Sequence, residues 1–457
     1  MDAPFFFHAL KVNEEVCIGC SHCMNACPTE AIRIWSGKAV IDENQCIDCG
    51  ECHRVCPVNA IYVDQDEFDT IFNYKYRVAL FPSVFIGQFP GEIKAGQVYK
   101  TLLEIGFTHV YEVERAVEIL NESILEYQGD TSKEHPIISS FCPAIIRLVQ
   151  VKFPSLVDNI LKLGTPSDIA AQFYKKKLID KGIAKEDIGI FYITPCAAKI
   201  AAIKSPVGEE KSVVSGAINL NNLYNRVYRK IKEGNPDNTI EAEPTELYDF
   251  EILWTLTKGE ASRVNGRALA IDGIHNAMEF LEKVENEEVS GIDFLECRAC
   301  HEGCAGGILN PQNRFLIVER MQDRVDRNRA KGGEITPSGI NNYKEYLKRK
   351  MPLGEVVPRS MMMLDTNMAE AMKKMKQAKK IETQLPGIDC GACGAPTCRA
   401  LSEDIVKGNA SLSHCVFVQK VLMKNGEINM DTAFAIIDKI WGEQRVVRGS
   451  LKKNNEI

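Results

Sequence analysis

The chain has 457 residues, 45% of them hydrophobic, enough for about two to four domains with cores of their own. Its net charge of −7 excludes a broad basic surface for nucleic acid, and no apolar run of about 18 residues is present to span a membrane. Its 17 cysteines are too many and too closely spaced for isolated core residues, and their odd number argues against complete disulfide pairing. Metal or cluster ligation in a reducing compartment is the expectation. Met1 to Leu10 lacks the pattern of a secretory signal, so a cytoplasmic location is expected.

Residues 1–78 carry eight cysteines in two similar units. The first reads Cys17-x2-Cys20-x2-Cys23-x3-Cys27-Pro28 and the second Cys46-x2-Cys49-x2-Cys52-x3-Cys56-Pro57. This is the run of bacterial two-cluster ferredoxins, in which the fourth cysteine ligates the other cluster. One 4Fe–4S cluster is therefore assigned to Cys17, Cys20, Cys23 and Cys56, and a second to Cys46, Cys49, Cys52 and Cys27. Structural zinc would not explain the duplication of the whole motif. His22 and His53 fall at matching places and are expected to face solvent, because the thiolates already complete each set.

The middle region alternates strand-like and helix-like segments. Strands are expected at Arg77–Ile86, His135–Phe141, Ile188–Thr194, Ala268–Ile271 and Gly291–Cys297, with helices such as Ala144–Phe153 and Ser167–Lys181 between them. Alternation of this kind predicts α/β layers. Several single cysteines fall at strand ends, where open α/β sheets place ligands. Spacing alone leaves open whether these cysteines are ligands or small buried residues.

Residues 321–360 read as a connector rich in Gly, Pro and charge. A helix is expected from about Asp365 to Ile381, with Met368, Met372 and Met375 on one face. Then Cys390-x2-Cys393-x4-Cys398-x16-Cys415 offers four more thiolates in a loop kept tight by Gly391, Gly394 and Pro396. Four cysteines alone would also satisfy zinc. The run DCGACGAPTC resembles the Fe–S domain of corrinoid iron–sulfur proteins and of an electron-transport complex subunit, which implies one further 4Fe–4S cluster.

Three motifs of the middle region carry a more specific resemblance. Ser139-Ser140-Phe141-Cys142-Pro143, Thr194-Pro195-Cys196-Ala197-Ala198-Lys199 and Phe294-Leu295-Glu296-Cys297-Arg298-Ala299-Cys300-His301-Glu302-Gly303-Cys304-Ala305-Gly306-Gly307 resemble, in order, the cluster-binding motifs of FeFe-hydrogenases. The resemblance implies an α/β fold with two lobes and a cofactor in the cleft. It also implies an H-cluster, a 4Fe–4S cube joined to a two-iron subcluster carrying CO and cyanide. Mapped by motif, Cys142, Cys196, Cys300 and Cys304 would hold the cube, and Cys304 would bridge to the two-iron subcluster. Lys199 would donate to a cyanide ligand. Ser83, after Pro82, either donates to the same ligand or is a turn hydroxyl. Four cubes use sixteen cysteines, leaving Cys297 either facing the same site or simply buried.

The chain departs from the family pattern in one direction. Phe141 stands where catalytic members carry a proton-passing cysteine. Thr194 and Arg298 replace methionines, Ala202 replaces a glutamate of the proton path, and His301-Glu302 replaces Pro-Gly. The ligands remain and the usual proton path is gone. A positioned acid–base group is worth roughly 10²–10⁴ in rate. The pattern resembles the sensory branch of the family, and implies slow activation of H2 in a hydrogen or redox sensor. Two other readings stay open. One is a fully active hydrogenase with a substitute path through Cys297, His301 or Glu302. The other is an electron-transfer or scaffold protein without the two-iron subcluster. The expected division is a ferredoxin-like domain over 1–78, an H-cluster domain with its connector over 79–360, and a helix plus C-terminal 4Fe–4S domain over 361–457. Expected partners are H2 and protons, a redox partner such as ferredoxin and a separate signalling protein, with no nucleic acid and no membrane.

Overall fold

The computed structural model describes residues 7–234, 247–330, 339–359, 364 and 368–442. The chain divides into two compact units, one of residues 1–9, 47–49 and 64–358, the other of residues 10–46, 50–63 and 359–457. The regions read above as first and last domains thus belong largely to one unit.

In that smaller unit, strand β1 (Leu10–Val12) pairs antiparallel with β4 (Ile61–Val63), and β2 (Ile32–Trp35) pairs with β3 (Lys38–Ile41). Short helices, His22–Asn25 and Glu51–Arg54, follow the cysteine loops. The C-terminal segment docks on the edge of β2. The Ile34 N–H donates to the Gly394 carbonyl at 2.8 Å, and the Trp441 indole donates to the Ala392 carbonyl at 2.8 Å. Arg33 forks onto Asp404 at 2.6 and 3.3 Å, and Arg399 reaches Glu30 at 3.2 Å.

The helix expected near Asp365–Ile381 runs over Met368–Glu382. Its buried positions are Ala371 and Ala378, while Met372 is 51% exposed. Among the described side chains the buried face is therefore made by alanines, whose small side chains permit close packing, and not by Met372.

The larger unit contains two parallel sheets. Strands β5 (Tyr76–Phe81), β6 (His109–Glu112), β8 (Ile188–Thr194) and β9 (Gly216–Asn219) form one in the order β6-β5-β8-β9. Strands β7 (Ile137–Ile138), β10 (Ala268–Asp272) and β11 (Phe294–Arg298) form the other in the order β10-β11-β7. Parallel strands are covered on both faces, and every residue of β8 is buried accordingly. The helices Pro143–Lys152 and Pro166–Asp180 fall where expected.

Three differences have local causes. The segment expected as one strand over Arg77–Ile86 stops at Phe81, because Pro82 lacks a ladder donor and Ser83–Ile86 turns into a helix. The expected strand His135–Phe141 reduces to Ile137–Ile138, since the chain peels away so that Ser140 can bond the Leu163 carbonyl at 2.8 Å. Strand β6, His109–Glu112, is not among the strands expected from the sequence.

Candidate functional site

All three motifs, and Ser83, leave the carboxyl ends of parallel strands. β5 runs into Pro82-Ser83, β7 into Ser139–Cys142, β8 into Pro195-Cys196 and β11 into Ala299–Cys304. This is where a parallel sheet presents loops to a ligand. Cys142 and Cys196 each cap the N-terminus of a helix, Pro143–Lys152 and Ala197–Lys204. Unpaired N–H groups and the helix dipole favour a thiolate there.

The third motif is folded by its glycines. Gly303 has φ of +60°, and a Cβ on it would meet the Thr255 carbonyl oxygen at 2.4 Å. A Cβ on Gly307 would meet the Pro195 carbonyl oxygen at 2.6 Å. The third motif can close on the second at Gly307, and on the Thr255 segment at Gly303, only because these positions carry no side chain. Cys304, Cys196 and Cys142 consequently share one electrostatic environment. Burial first, then the charge of Cys142, pushes the Cys196 thiol up to about 12, with Lys199 pulling the other way. Cys300 sits on the same loop, against the backbone of Gly306.

Lys199 is buried and makes a long hydrogen bond of 3.4 Å to the Tyr192 hydroxyl. Burial alone would lower its pKa, but Tyr192, Cys304 and Cys196 outweigh burial and raise it, so the ammonium stays charged. Its Nζ lies 4.0 Å from the centroid of the Phe141 ring. Arg298 is also buried, and its Cζ lies 4.1 Å from the same centroid. Arg298 pairs with Glu296 at 3.1 Å and Glu260 at 3.4 Å. Burial, then repulsion from Glu296, raises Glu260 to about 7 against the pull of Arg298.

The Ser83 hydroxyl donates to Glu112 Oε2 at 2.8 Å, and its backbone N–H donates to Glu114 Oε2 at 3.0 Å. Glu112 also accepts from Tyr99 at 2.5 Å and from the fork of Arg324 at 2.7 and 2.8 Å. Burial, then the charge of Glu112, pushes Glu114 up to about 8. The one hydroxyl proton of Ser83 is thus committed to Glu112, and a bond to any other acceptor requires the side chain to turn.

The remaining loop residues separate from this group. Cys297 is fully buried, and burial with the charge of Cys142 raises its pKa. The His301 side chain is 58% exposed, and its Nδ1 lies 3.3 Å from Asp272. Glu302 holds Asp272 through its backbone N–H at 2.9 Å. The structure brings Phe141, Lys199 and Arg298 together and turns the His301 side chain outward. Ala202 lines a pocket shared with Lys199, Tyr192, Ser140 and Glu209. The residues that sequence reading missed are Glu112, Glu114, Tyr99, Tyr192 and Arg324. Adjacent charges in an apolar run, as in Glu112-Val113-Glu114-Arg115, were the available signal.

In the smaller unit, Cys17, Cys20, Cys23 and Cys56 line one small pocket, the grouping expected from their spacing. Burial, with Cys17 and Cys20, pushes the Cys23 thiol up to about 12. Cys46 and Cys27 act on Cys52 in the same way, after burial, raising its pKa. Near the C-terminus, burial raises Cys393 to about 11, with Cys415 and Cys390 adding to it. Cys390→Ser with Cys393→Ser is expected to remove about four iron atoms per chain. Iron analysis and infrared spectroscopy of the matured protein check this, since any CO and cyanide bands should remain.

Three parts of the chain match known families. Residues 76–225 and 214–308 match the family described as iron only hydrogenase large subunit, C-terminal domain. Residues 16–60 match the 4Fe-4S dicluster domain, and residues 385–417 match an Fe-S cluster family. The chain is 24% identical over 315 residues to the NADP-reducing hydrogenase subunit HndD of Solidesulfovibrio fructosivorans, covering 64% of this chain and 48% of that protein. It is 23% identical over 302 residues to iron hydrogenase 1 of Clostridium pasteurianum, covering 56% of this chain and 50% of that protein. The chain thus spans about half the length of the curated relatives it matches. A solved structure of a variant of the [FeFe]-hydrogenase HydA1 from Chlamydomonas reinhardtii aligns over 62% of this chain and 94% of that one, at 17% identity and a TM-score of 0.46.

Proposed function

The chain belongs to the iron-only hydrogenase family, and from that premise we propose that it binds H2 and activates it slowly, as a hydrogen or redox sensor whose electrons pass through 4Fe–4S clusters. The observation that carries this reading is the pairing of a retained anion site with a lost proton relay. Lys199 is buried beside Cys196 and Cys304 and is held charged. The neighbouring position, where a thiol would pass protons, is the ring of Phe141.

These residues fit a two-iron subcluster with anionic ligands. Lys199 is buried and charged, and its long bond to a tyrosine hydroxyl leaves donors to spare. Cys142, Cys196, Cys300 and Cys304 would hold the cube, with Cys304 bridging to the subcluster, and Lys199 would donate to a cyanide ligand. The subcluster, when bound, supplies the iron at which H2 is split. Phe141 is buried and offers no atom that can take a proton. The remaining twelve thiolates would hold three more cubes, each a relay for electrons. The three-domain division over 1–78, 79–360 and 361–457 belongs to this proposal, as do a cytoplasmic location, a ferredoxin-like redox partner and a separate signalling protein. Among the described residues, no helix is long and apolar enough to cross a membrane.

Infrared spectroscopy of protein matured with the hydrogenase assembly enzymes tests the reading. CO and cyanide bands are expected, with about 18 iron atoms per chain, and protein made without those enzymes should hold about 16 and show no bands. A matured sample that stays near the lower count without bands would leave only an electron-transfer or scaffold role.

A further inference from the structure

We propose that Arg298 is a second cationic anchor for the two-iron subcluster, donating from Nη1 to one of its anionic ligands while Phe141 supports both Arg298 and Lys199. This rests on the function proposed above, and concerns a position where the family pattern has an uncharged methionine.

Arg298 Nη1 is buried and has no hydrogen-bond partner among the described residues. The rest of the guanidinium is fixed. Its Nε donates to Glu296 at 3.1 Å and its Nη2 to Glu260 at 3.4 Å. Glu296 is itself anchored by the backbone N–H groups of Lys258, Glu260 and Ala261 at 3.1, 3.0 and 2.7 Å. Glu260 accepts from Ser139 at 2.5 Å. A planar fork held along two edges has a determined direction for its third donor. A guanidinium serving only to neutralise the two glutamates has no need of a buried donor without an acceptor, which is costly.

The surroundings identify the acceptor as an anion at the same site. The groups acting electrostatically on Arg298 include Cys304 and Cys142, two of the cube's proposed ligands. Lys199 and Arg298 lie 4.0 and 4.1 Å from one ring centroid. Two like charges brought so near in a buried place require negative charge close by, and among the described residues the ion pairs of Glu260 and Glu296 are with Arg298, not with Lys199. The ring contributes its electron-rich face to both cations. Phe141 and Arg298 thus act as a matched pair: where the thiol is lost, a fixed positive charge is gained.

The test uses full-length matured protein and reads the cyanide bands, with iron content as a control. In Arg298→Gln, which keeps a donor toward Glu296 but removes the charge, one cyanide band is expected to shift while the iron count stays at the parent value. Arg298→Lys should bring that band part of the way back, since charge returns without the fork. If Arg298→Gln fails to fold, Arg298→Lys alone decides, because a donor of different geometry must move the band. Parent bands with no shift in a folded, fully loaded variant overturn the anchor and leave the proposed function standing. A parent with no cyanide bands overturns both.

Discussion

A Phe141→Cys protein is expected to oxidise H2 faster than its parent, by less than the roughly 10²–10⁴ that a complete acid–base relay supplies. The thiol would stand next to Cys142 and could exchange a proton where the ring cannot. The gain should fall short because Ala202 leaves a second gap, opening onto the cavity that it shares with Lys199 and Tyr192. The substitution also has a structural cost. Phe141 is buried, and removing its ring takes away a large apolar contact and the support of two cations, a loss of about 3 kcal/mol by comparison with other phenylalanine truncations. Turnover should therefore be expressed per matured cofactor, with thermal unfolding recorded in parallel. A variant that melts lower yet runs at the parent rate would show that the missing thiol is not what keeps the protein slow.

Arg324→Met is expected to destabilise the larger unit by about 3–5 kcal/mol, the usual cost of leaving one partner of a buried ion pair alone. Glu112 is fully buried, and the Arg324 fork supplies its only positive partner among its hydrogen bonds in the described residues. In the parent, burial pushes Glu112 up but Arg324 overrides it, so its pKa lies below the ordinary carboxylate value. That pairing stabilises the fold above the ordinary range and is lost as pH falls through the depressed value. Without Arg324 the sign reverses. Burial and the neighbouring Glu114 then raise Glu112, and the penalty of ionising it grows as pH rises above the ordinary range. Denaturant unfolding should accordingly find a larger deficit at pH 8 than at pH 5. Adding Glu112→Gln should recover much of the loss at the higher pH. A deficit that does not depend on pH would assign the effect to packing of the arginine stem.

The grouping of the first cysteines was legible because closely spaced cysteine loops follow a rigid rule in sequence. Close spacing and a terminal proline are properties of one loop, so the set Cys17, Cys20, Cys23 and Cys56 could be assigned and is found around one cavity. The α/β class followed from alternation, since fully buried strands such as Ile188–Thr194 are apolar throughout. The polar support of the site was not legible. Glu112 and Arg324 are 212 residues apart and meet only once the fold is made. Arg298 was visible only as a departure from a pattern. Its partner Glu260 lies in a segment with no motif, and the shared ring of Phe141 joins strand ends from different parts of the chain. The docking of Ala392 and Gly394 beside Ile34 and Trp441 was equally invisible, because backbone hydrogen bonds leave no signature in side-chain chemistry.

That docking has a consequence for biosynthesis. Strand β2 leaves the ribosome long before Gly394 exists, so during most of translation the Ile34 N–H lacks its eventual acceptor and Arg33 lacks Asp404. In the complete chain Ile32–Trp35 pairs antiparallel with Lys38–Ile41, and without the C-terminal segment its other edge would be open. Such edges invite pairing with other chains. Contacts that span more than 350 residues of sequence, such as Arg33 with Asp404, also close last and slowly.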